Sequence, residues 1–131
     1  MTSVLNPLVV GEAFAGAVAA KDRAALLGLL APDVEFRGLT PGRSWTADDA
    51  VTAVDEIVLG SWFTVTDDIQ ALEAVETAEV GDRLRVGYRM RIRAEGEVTV
   101  CEQQAYYMLA DDRINWLRVL CSGFRPYRSP A

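Results

Sequence analysis

The stretch that decides the fold is GDRLRVGYRMRIRAEGEVTVCEQQAYYMLADDRINWLRVLCSGF, residues 81–124. In its first part, five arginines share one parity, and apolar residues such as Tyr88 and Met90 take the other. Because successive side chains of a strand point to opposite faces, this period of two predicts a half-buried antiparallel strand. Two similar runs follow at 98–109 and 114–122, each after a turn. The stretch therefore predicts three consecutive antiparallel strands.

The sequence before this stretch predicts three helices and a further strand. Asn6 and Pro7 open the first helix, since Asn is a good N-cap and Pro is tolerated at the first helical position. Asp22 caps a second, short helix. Thr46 begins the third, with acidic residues in the first turn, where the helix dipole favours them. Residues 69–78 are predicted to form a long strand.

Two short segments separate the second and third predicted helices. Residues 34–37 suit a short strand, and residues 38–44, which contain Gly, Pro and Gly, indicate a loop. The predicted order is helix, helix, strand, helix and then four antiparallel strands. This order is typical of an α+β fold with helices on one face of a curved sheet. We expect one domain over residues 1–131.

Composition excludes several classes of function. The 131 residues carry a net charge of −6 and no histidine, which excludes Ser-His-Asp and Cys-His catalysis and histidine-based metal sites. An acidic chain without a concentrated basic tract argues against nucleic acid as a partner. No apolar run is long enough to span a membrane, and the N-terminus lacks the features of a signal peptide. We expect a cytoplasmic protein without metal or cofactor.

The register of the second of these strands can be predicted from the turn between the first two. Residues 94–96 suit a three-residue hairpin loop with Gly96 in the left-handed conformation. This register places Cys101 on the outer face, opposite the face expected for Cys121 in the third strand, so no disulfide between them is predicted. It also assigns to one mostly apolar inner face the residues Tyr88, Met90, Glu102, Gln104 and Tyr106.

A carboxylate on an apolar face indicates either a catalytic role or a structural role, at the sheet rim or in an ion pair. Burying an unpaired charge is costly, so Glu102 should be paired, protonated or beside solvent-filled space. In the functional interpretation, Glu102 is a general base with a raised pKa, assisted by Tyr88 or Gln104. In the structural interpretation, it lies near the sheet rim or pairs with Arg37 or Arg43.

The segments LLAPDVEFRGLTPGRSWTADDAV (29–51) and YYMLADDRINWLRV (106–119), together with the paired N-terminal helices, resemble the nuclear transport factor 2-like superfamily, in particular its SnoaL-like branch. The resemblance covers residues 8–122. It implies a conical barrel, in which a curved antiparallel sheet wraps around three N-terminal helices and encloses a pocket. It also implies frequent dimers. The superfamily includes ketosteroid isomerases, polyketide cyclases and limonene epoxide hydrolases.

The resemblance can be followed residue by residue. The tyrosine that donates to the oxyanion in ketosteroid isomerases matches Phe14 here, and their catalytic base matches Phe36. Their second acid matches Gln104, and an aspartate of the epoxide hydrolases matches Val119. These departures, and the absence of histidine, argue against those specific activities. The resemblance also implies that the inner face includes Leu117, Val119 and Cys121.

The leading functional hypothesis is a pocket protein that binds a small, largely apolar molecule inside the cone. Trp45, Trp62 and Phe63 either close the core or guard the mouth of the pocket. One alternative is an isomerase or cyclase that transfers protons on a carbonyl compound with Glu102 as base, and another is a structural or protein-binding module. The candidate ligand-contacting residues are Phe14, Trp62, Tyr88, Met90, Gln104, Tyr106 and Val119.

The opposite, outer face of the sheet is expected to carry the arginines, ion-paired with Glu76 and Glu97. No predicted element remains to cover it, and an uncovered face with aromatic residues and leucine suits an interface. We therefore predict a homodimer joined through this face. The residues assigned to it are Thr99, Cys101, Gln103, Tyr107, Trp116, Arg118 and Leu120.

Overall fold

The computed structural model describes residues 6–128, and it contains the three predicted helical regions. The side chains of Asn6 and Asp22 cap the first two helices, as predicted. The third begins later than predicted, because Asp49 rather than Thr46 accepts its capping hydrogen bond, from the Thr52 amide at 2.6 Å. The helices are α1 (Pro7–Ala19), α2 (Arg23–Leu29) and α3 (Ala50–Thr52), which continues directly as a π-helix (Ala53–Trp62).

Seven strands form one curved sheet in the order β2-β1-β6-β5-β4-β3, with β7 paired to β5. The strands are β1 (Leu30–Thr40), β2 (Arg43–Ala47), β3 (Asp68–Val80), β4 (Arg83–Ala94), β5 (Glu97–Ala110), β6 (Arg113–Cys121) and β7 (Arg125–Pro126). The α+β prediction is confirmed. The sheet is mixed rather than wholly antiparallel, because β1 runs parallel to β6. Among the described strands, β2 and β3 remain edges, so the sheet curves without closing.

The predicted loop at 38–44 is a β-hairpin. Strand β1 continues to Thr40 and β2 begins at Arg43, and Pro41 and Gly42 form the turn between them. Proline followed by a glycine with φ of +76° is the signature of a type II turn. The hairpin places Trp45 opposite Gly38.

The β4–β5 turn contains two residues rather than the predicted three. Ala94 pairs with Glu97, and both turn residues, Glu95 and Gly96, have positive φ. Two such residues form the tight hairpin turn that matches the twist of antiparallel strands. The predicted register of β5 is therefore wrong by one position, and a shift of one residue turns every side chain to the other face.

The shift changes which side chains of β5 face the helices. Tyr88 pairs with Gln103 and Met90 with Cys101, and all four are buried on the inner face. The alternation predicted for β4 is correct. The helices cover this inner face, and the largest fully buried side chains of the core include Phe14, Phe36, Phe63, Met90, Tyr107 and Leu117. No helix within residues 6–128 is long and apolar enough to cross a bilayer.

Strand β6 ends in a bulge. Gln103 of β5 pairs with Cys121 of β6, and three residues back along β5, Val100 pairs with Arg125 of β7. The β6–β7 side therefore uses one extra residue. Within the bulge, the Ser122 amide donates to the Glu102 carbonyl at 2.9 Å, and Gly123 has φ of +74°.

Candidate functional site

A hydrogen-bonded pair lies on the inner face, between β4 and β5. The Tyr88 hydroxyl donates to Oε1 of Gln103 at 2.5 Å, and the two residues are 3% and 1% exposed. The ring of Phe14 meets the Tyr88 ring edge-on, with centroids 6.4 Å apart. Burial raises the pKa of Tyr88 well above its ordinary value. Tyr88 therefore stays a neutral donor at physiological pH.

Two free cysteines extend this pair toward β6. The sulfurs of Cys101 and Cys121 are 3.5 Å apart, and both residues are buried. The prediction that they lie on opposite faces is wrong, because it followed from the mistaken β5 register. We call Tyr88, Gln103, Cys101 and Cys121 the inner polar cluster.

The hydrogen bonds within the thiol pair differ between the two sulfurs. The Gly123 amide donates to Sγ of Cys121 at 3.4 Å. The hydrogen bond with Cys101, with a further contribution from the Gly123 amide, lowers the pKa of Cys121 despite its burial. The hydrogen bond with Cys121, together with burial, raises the pKa of Cys101. Cys121 is therefore the sulfur that carries negative charge more readily.

Two buried N–H donors, one of them in this cluster, lack a hydrogen-bond partner. Within the described residues, the amide nitrogen of Gln103 and the indole nitrogen of Trp62 have no partner with good geometry. Most buried polar atoms are hydrogen-bonded, and an unpaired one costs about 1–3 kcal/mol. A group that brings an acceptor to either donor would therefore bind favourably.

A cavity of about 270 Å³ lies between the β1–β2 hairpin, the end of the π-helix and the β6 bulge, and we call it the mouth cavity. Trp45 and Trp62 meet edge-on with centroids 6.2 Å apart, and Phe63 and Phe124 stack at 6.0 Å. The hairpin, the end of the π-helix and the β6 bulge converge to build these walls. The lining consists of Thr40, Trp45, Ser61, Trp62, Phe63, Cys121, Gly123 and Phe124.

The predicted site residues divide between the two faces. Phe14, Trp62, Tyr88, Met90 and Val119 are buried in the core cluster. All five pack on the helical side of the sheet, as predicted, and Trp62 also lines the mouth cavity. Trp62 and Phe63 both close the core and wall this cavity, so the two roles predicted for them coincide.

Glu102, Gln104 and Tyr106 lie outside the cone, contrary to the prediction. They alternate with the buried residues Cys101, Gln103, Ala105 and Tyr107 along β5. The Glu102 side chain is 58% exposed and lies 3.8 Å from Nη1 of Arg89. Gln104 accepts a hydrogen bond from Arg85 at 2.6 Å. The one-residue register shift explains all three misplacements.

The outer face holds a second polar cluster, built around Glu73. Its carboxylate accepts hydrogen bonds from Arg89 at 3.0 Å, Tyr127 at 2.8 Å and Arg91 at 3.4 Å. A bulge in β3 between Leu72 and Ala74 turns Glu73 toward these partners. We call Glu73, Arg89, Arg91 and Tyr127 the outer ion-pair cluster. The expected ion pairing of this face is present, with Glu73 rather than Glu76 or Glu97 as the main acid.

The outer face also carries a cavity of about 390 Å³. Leu39 and Leu120 pair across β1 and β6 there and are 54% and 55% exposed. Trp116 lies nearby between the guanidinium groups of Arg83 and Arg118, 4.6 and 4.3 Å from its ring centre. We call this space the outer cavity. Its lining consists of Arg37, Gly38, Leu39, Ser44, Trp45, Thr46, Tyr106, Arg118, Val119 and Leu120.

The functional candidates that sequence reasoning missed are Cys101, Cys121 and Gln103. One sequence signal could have found them. The dipeptide Glu95-Gly96 suits a two-residue turn, and that shorter turn brings Cys101 to the face that already holds Cys121.

Comparison with known proteins supports the fold and no more than the fold. No family model matches the chain, and no curated protein matches it. A candidate isomerase from Bacillus subtilis superposes with a TM-score of 0.72 at 12% identity, over 90% of each chain. A candidate polyketide cyclase from Pseudomonas putida KT2440 gives 0.68 at 14% identity, over 96% of this chain and 93% of the other.

An NTF2-like protein of unknown function from Cytophaga hutchinsonii gives a TM-score of 0.60 at 15% identity, over 93% of this chain and 95% of the other. The structural neighbours are thus NTF2-like proteins, as the sequence resemblance implied. The chain has the NTF2-like fold, a curved sheet wrapped around helices.

Proposed function

We propose that this protein binds a small, largely apolar molecule that carries a hydrogen-bond acceptor, in the mouth cavity. The observation that carries the proposal is an aromatic cavity next to unpaired buried donors. Ligand sites typically combine apolar walls with a few placed polar groups. Trp45, Trp62, Phe63 and Phe124 supply the walls. The Trp62 side chain also carries a buried indole N–H without a hydrogen-bond partner among the described residues.

The outer cavity is larger, but we favour the mouth cavity for the ligand. The outer cavity has the exposed leucines Leu39 and Leu120 in its lining and lies on the face for which we predict a dimer contact. The mouth cavity adjoins the inner polar cluster through Cys121. Orientation of a small molecule requires such polar groups beside the apolar surface.

A proton-transfer reaction is less well supported. Solved structures with this fold include a candidate isomerase and a candidate polyketide cyclase, which favours a pocket for carbonyl-bearing molecules. Tyr88 would serve as a neutral donor to such a carbonyl. The carboxylate assigned as base, Glu102, lies outside the cone, so this alternative lacks the base on which it depended.

The first experiment is native mass spectrometry of freshly purified protein, which detects a small molecule that co-purifies. The second measures binding of the fluorescent probe 1-anilinonaphthalene-8-sulfonate. We expect Phe124→Ala to weaken probe binding about fivefold to tenfold, because a stacking wall of the mouth cavity is lost. Phe124 is 37% exposed, so this change should not unfold the protein.

Leu120→Ala is the matched control, because Leu120 lines the outer cavity. It should change probe affinity less than twofold, a free energy below about 0.4 kcal/mol. If Leu120→Ala weakens binding and Phe124→Ala does not, the outer cavity is the site and the proposal is wrong. No co-purifying molecule and no probe binding would favour a structural or protein-binding module.

A further inference from the structure

The two cysteines of the inner polar cluster are close enough to react with each other. Their sulfurs are 3.5 Å apart, and a disulfide requires about 2.05 Å, so a closure of about 1.5 Å is needed. They lie on neighbouring strands and face the same side of the sheet. Cys101 lies two residues from Gln103, the direct partner of Cys121. The pair is therefore diagonal across the strands, within reach of side-chain rotation.

The β6 bulge gives the backbone near Cys121 room to adjust. Regular β5–β6 pairing ends at Cys121, and Ser122 and Gly123 bridge to β7. The amide of Glu102 donates to Oγ of Ser122 at 2.9 Å rather than to a backbone carbonyl. A small shift at the end of β6 therefore disturbs little of the regular ladder.

Access from outside differs between the two sulfurs. Cys121 lines the mouth cavity and is 8% exposed, whereas Cys101 is fully buried. A small molecule in the cavity therefore meets Cys121 first. Cys121 also accepts a hydrogen bond from the Gly123 amide, which favours its thiolate form.

A further group points to chemistry at Cys121. Gln103 is 1% exposed, pairs with Cys121 across β5 and β6, and has an amide nitrogen without a hydrogen-bond partner among the described residues. An oxygen atom added to the Cys121 sulfur would supply the acceptor that this nitrogen lacks.

We propose that Cys121 and Cys101 form a dithiol site that reduces a small hydroperoxide entering the mouth cavity, with Cys121 as nucleophile and Cys101 as resolving thiol. This activity uses the same cavity as the proposed function but does not require the apolar ligand. The chemical class of substrate is a hydroperoxide, ROOH.

In the first step, the Cys121 thiolate attacks the terminal oxygen of the hydroperoxide. The O–O bond breaks, an S–O bond forms, and the alkoxide takes a proton from water and leaves as an alcohol. Cys121 is then a sulfenic acid, whose oxygen accepts from Gln103. In the second step, the Cys101 sulfur attacks the Cys121 sulfur, and hydroxide leaves as water with the Cys101 proton. Two thiols lose two electrons in total, and one hydroperoxide gains them.

Intact-mass spectrometry of the wild-type protein treated with cumene hydroperoxide, and separately with hydrogen peroxide, tests the proposal. We expect a loss of about 2 Da and a Cys101–Cys121 peptide cross-link. Cys101→Ser should instead gain about 16 Da at Cys121, trapped by dimedone. In the Cys121→Ser protein, Cys101 should oxidise at least about tenfold more slowly than the wild-type dithiol does.

Circular dichroism and a urea unfolding curve confirm that each variant folds, and the wild-type cross-link needs no variant. Three results would overturn the proposal: intact thiols after treatment, disulfides only between molecules, or equal oxidation of Cys101 in the Cys121→Ser protein. A Cys101–Cys121 cross-link in wild-type protein that neither binds the probe nor carries a co-purifying molecule would support the dithiol site independently of the ligand proposal.

Discussion

Two polar clusters on opposite faces of the same sheet differ in how completely their hydrogen bonds are satisfied. In the outer ion-pair cluster, the Glu73 carboxylate accepts from Arg89, Arg91 and Tyr127. In the inner polar cluster, the amide nitrogen of Gln103 lacks a good partner, although Gln103 is more deeply buried than Glu73.

The difference separates stabilising polar groups from candidate functional ones. A satisfied cluster at a half-buried surface contributes to stability, because each charge keeps its partners. An unpaired buried donor lowers stability by about 1–3 kcal/mol and persists where a ligand or a reaction supplies the missing partner. We therefore expect loss of the acid of the outer cluster to lower stability, and joint removal of the hydrogen-bonded pair of the inner cluster to leave stability almost unchanged or raise it.

The largest expected effect tests the outer face as a whole. If the protein is a homodimer joined through this face, Trp116→Glu should shift it to monomer in sedimentation velocity, because the introduced carboxylate would be buried in the interface. Several residues first assigned to this face, such as Gln103 and Tyr107, lie on the inner side, but Trp116, Arg118 and Leu120 belong to it.

Val65→Glu is the control for the dimer, since Val65 is 98% exposed in a loop and should leave assembly unchanged. A wild-type protein that sediments as a monomer at high concentration would contradict the prediction.

The next effect is on stability. Glu73→Gln should lower the free energy of unfolding by about 1–2 kcal/mol, because Arg89 and Arg91 lose their shared carboxylate. The cost is moderated by solvent, which reaches Arg91 at 38% exposure. The same change at Glu102, whose side chain is 58% exposed, should cost less than about 0.5 kcal/mol. Urea unfolding measures both; equal costs would show that the Glu73 network has no special role.

The cost of Glu73→Gln should depend on pH. Partial burial alone would raise the pKa of Glu73, but hydrogen bonds from Tyr127 and Arg89 and the charges of both arginines hold it below its ordinary value. A carboxyl with a depressed folded-state pKa contributes stability above its unfolded value, about 4.3, and loses it as pH falls through the folded value. The wild-type advantage should be constant from pH 7 to 5 and shrink below pH 4. An advantage that grows in acid would contradict this assignment.

The smallest effect is expected in the inner polar cluster. Tyr88→Phe alone should cost about 1 kcal/mol, because it leaves Gln103 with both amide ends unpaired. The double change Tyr88→Phe, Gln103→Met should be within about 0.5 kcal/mol of wild type or more stable, since it removes both partners together. A double variant less stable than Glu73→Gln would mean that the inner cluster serves stability after all.

Much of the fold could be predicted because the alternation of arginines and apolar residues in β4 fixes which face of the strand is buried. Arginines on one parity and apolar residues on the other leave no choice of face, and Tyr88 and Met90 are buried as predicted. The resemblance to NTF2-like proteins correctly placed Leu117, Val119 and Cys121 inside.

The site could not be predicted because β5 is apolar on both faces. Val98 and Val100 share one parity, while Ala105 and Tyr107 share the other. Either register therefore buries several apolar side chains of β5. Only the length of the turn decides between them, and a loop one residue too long turned Glu102 inward. The mouth cavity was hidden for a related reason, since Pro41 and Gly42 form a hairpin turn where a loop was predicted.

The parallel pairing of β1 with β6 has a consequence for the order of folding. Phe36 and its partner Leu117 are about 80 residues apart in the chain, so their contact carries a high loop-closure cost and should form late. During synthesis, the β1–β2 hairpin emerges from the ribosome long before the strand that fixes it. The walls that Trp45 and Cys121 give to the mouth cavity meet only after this closure. A molecule bound there would act on the final folding step, because it would slow the separation of β1 from β6.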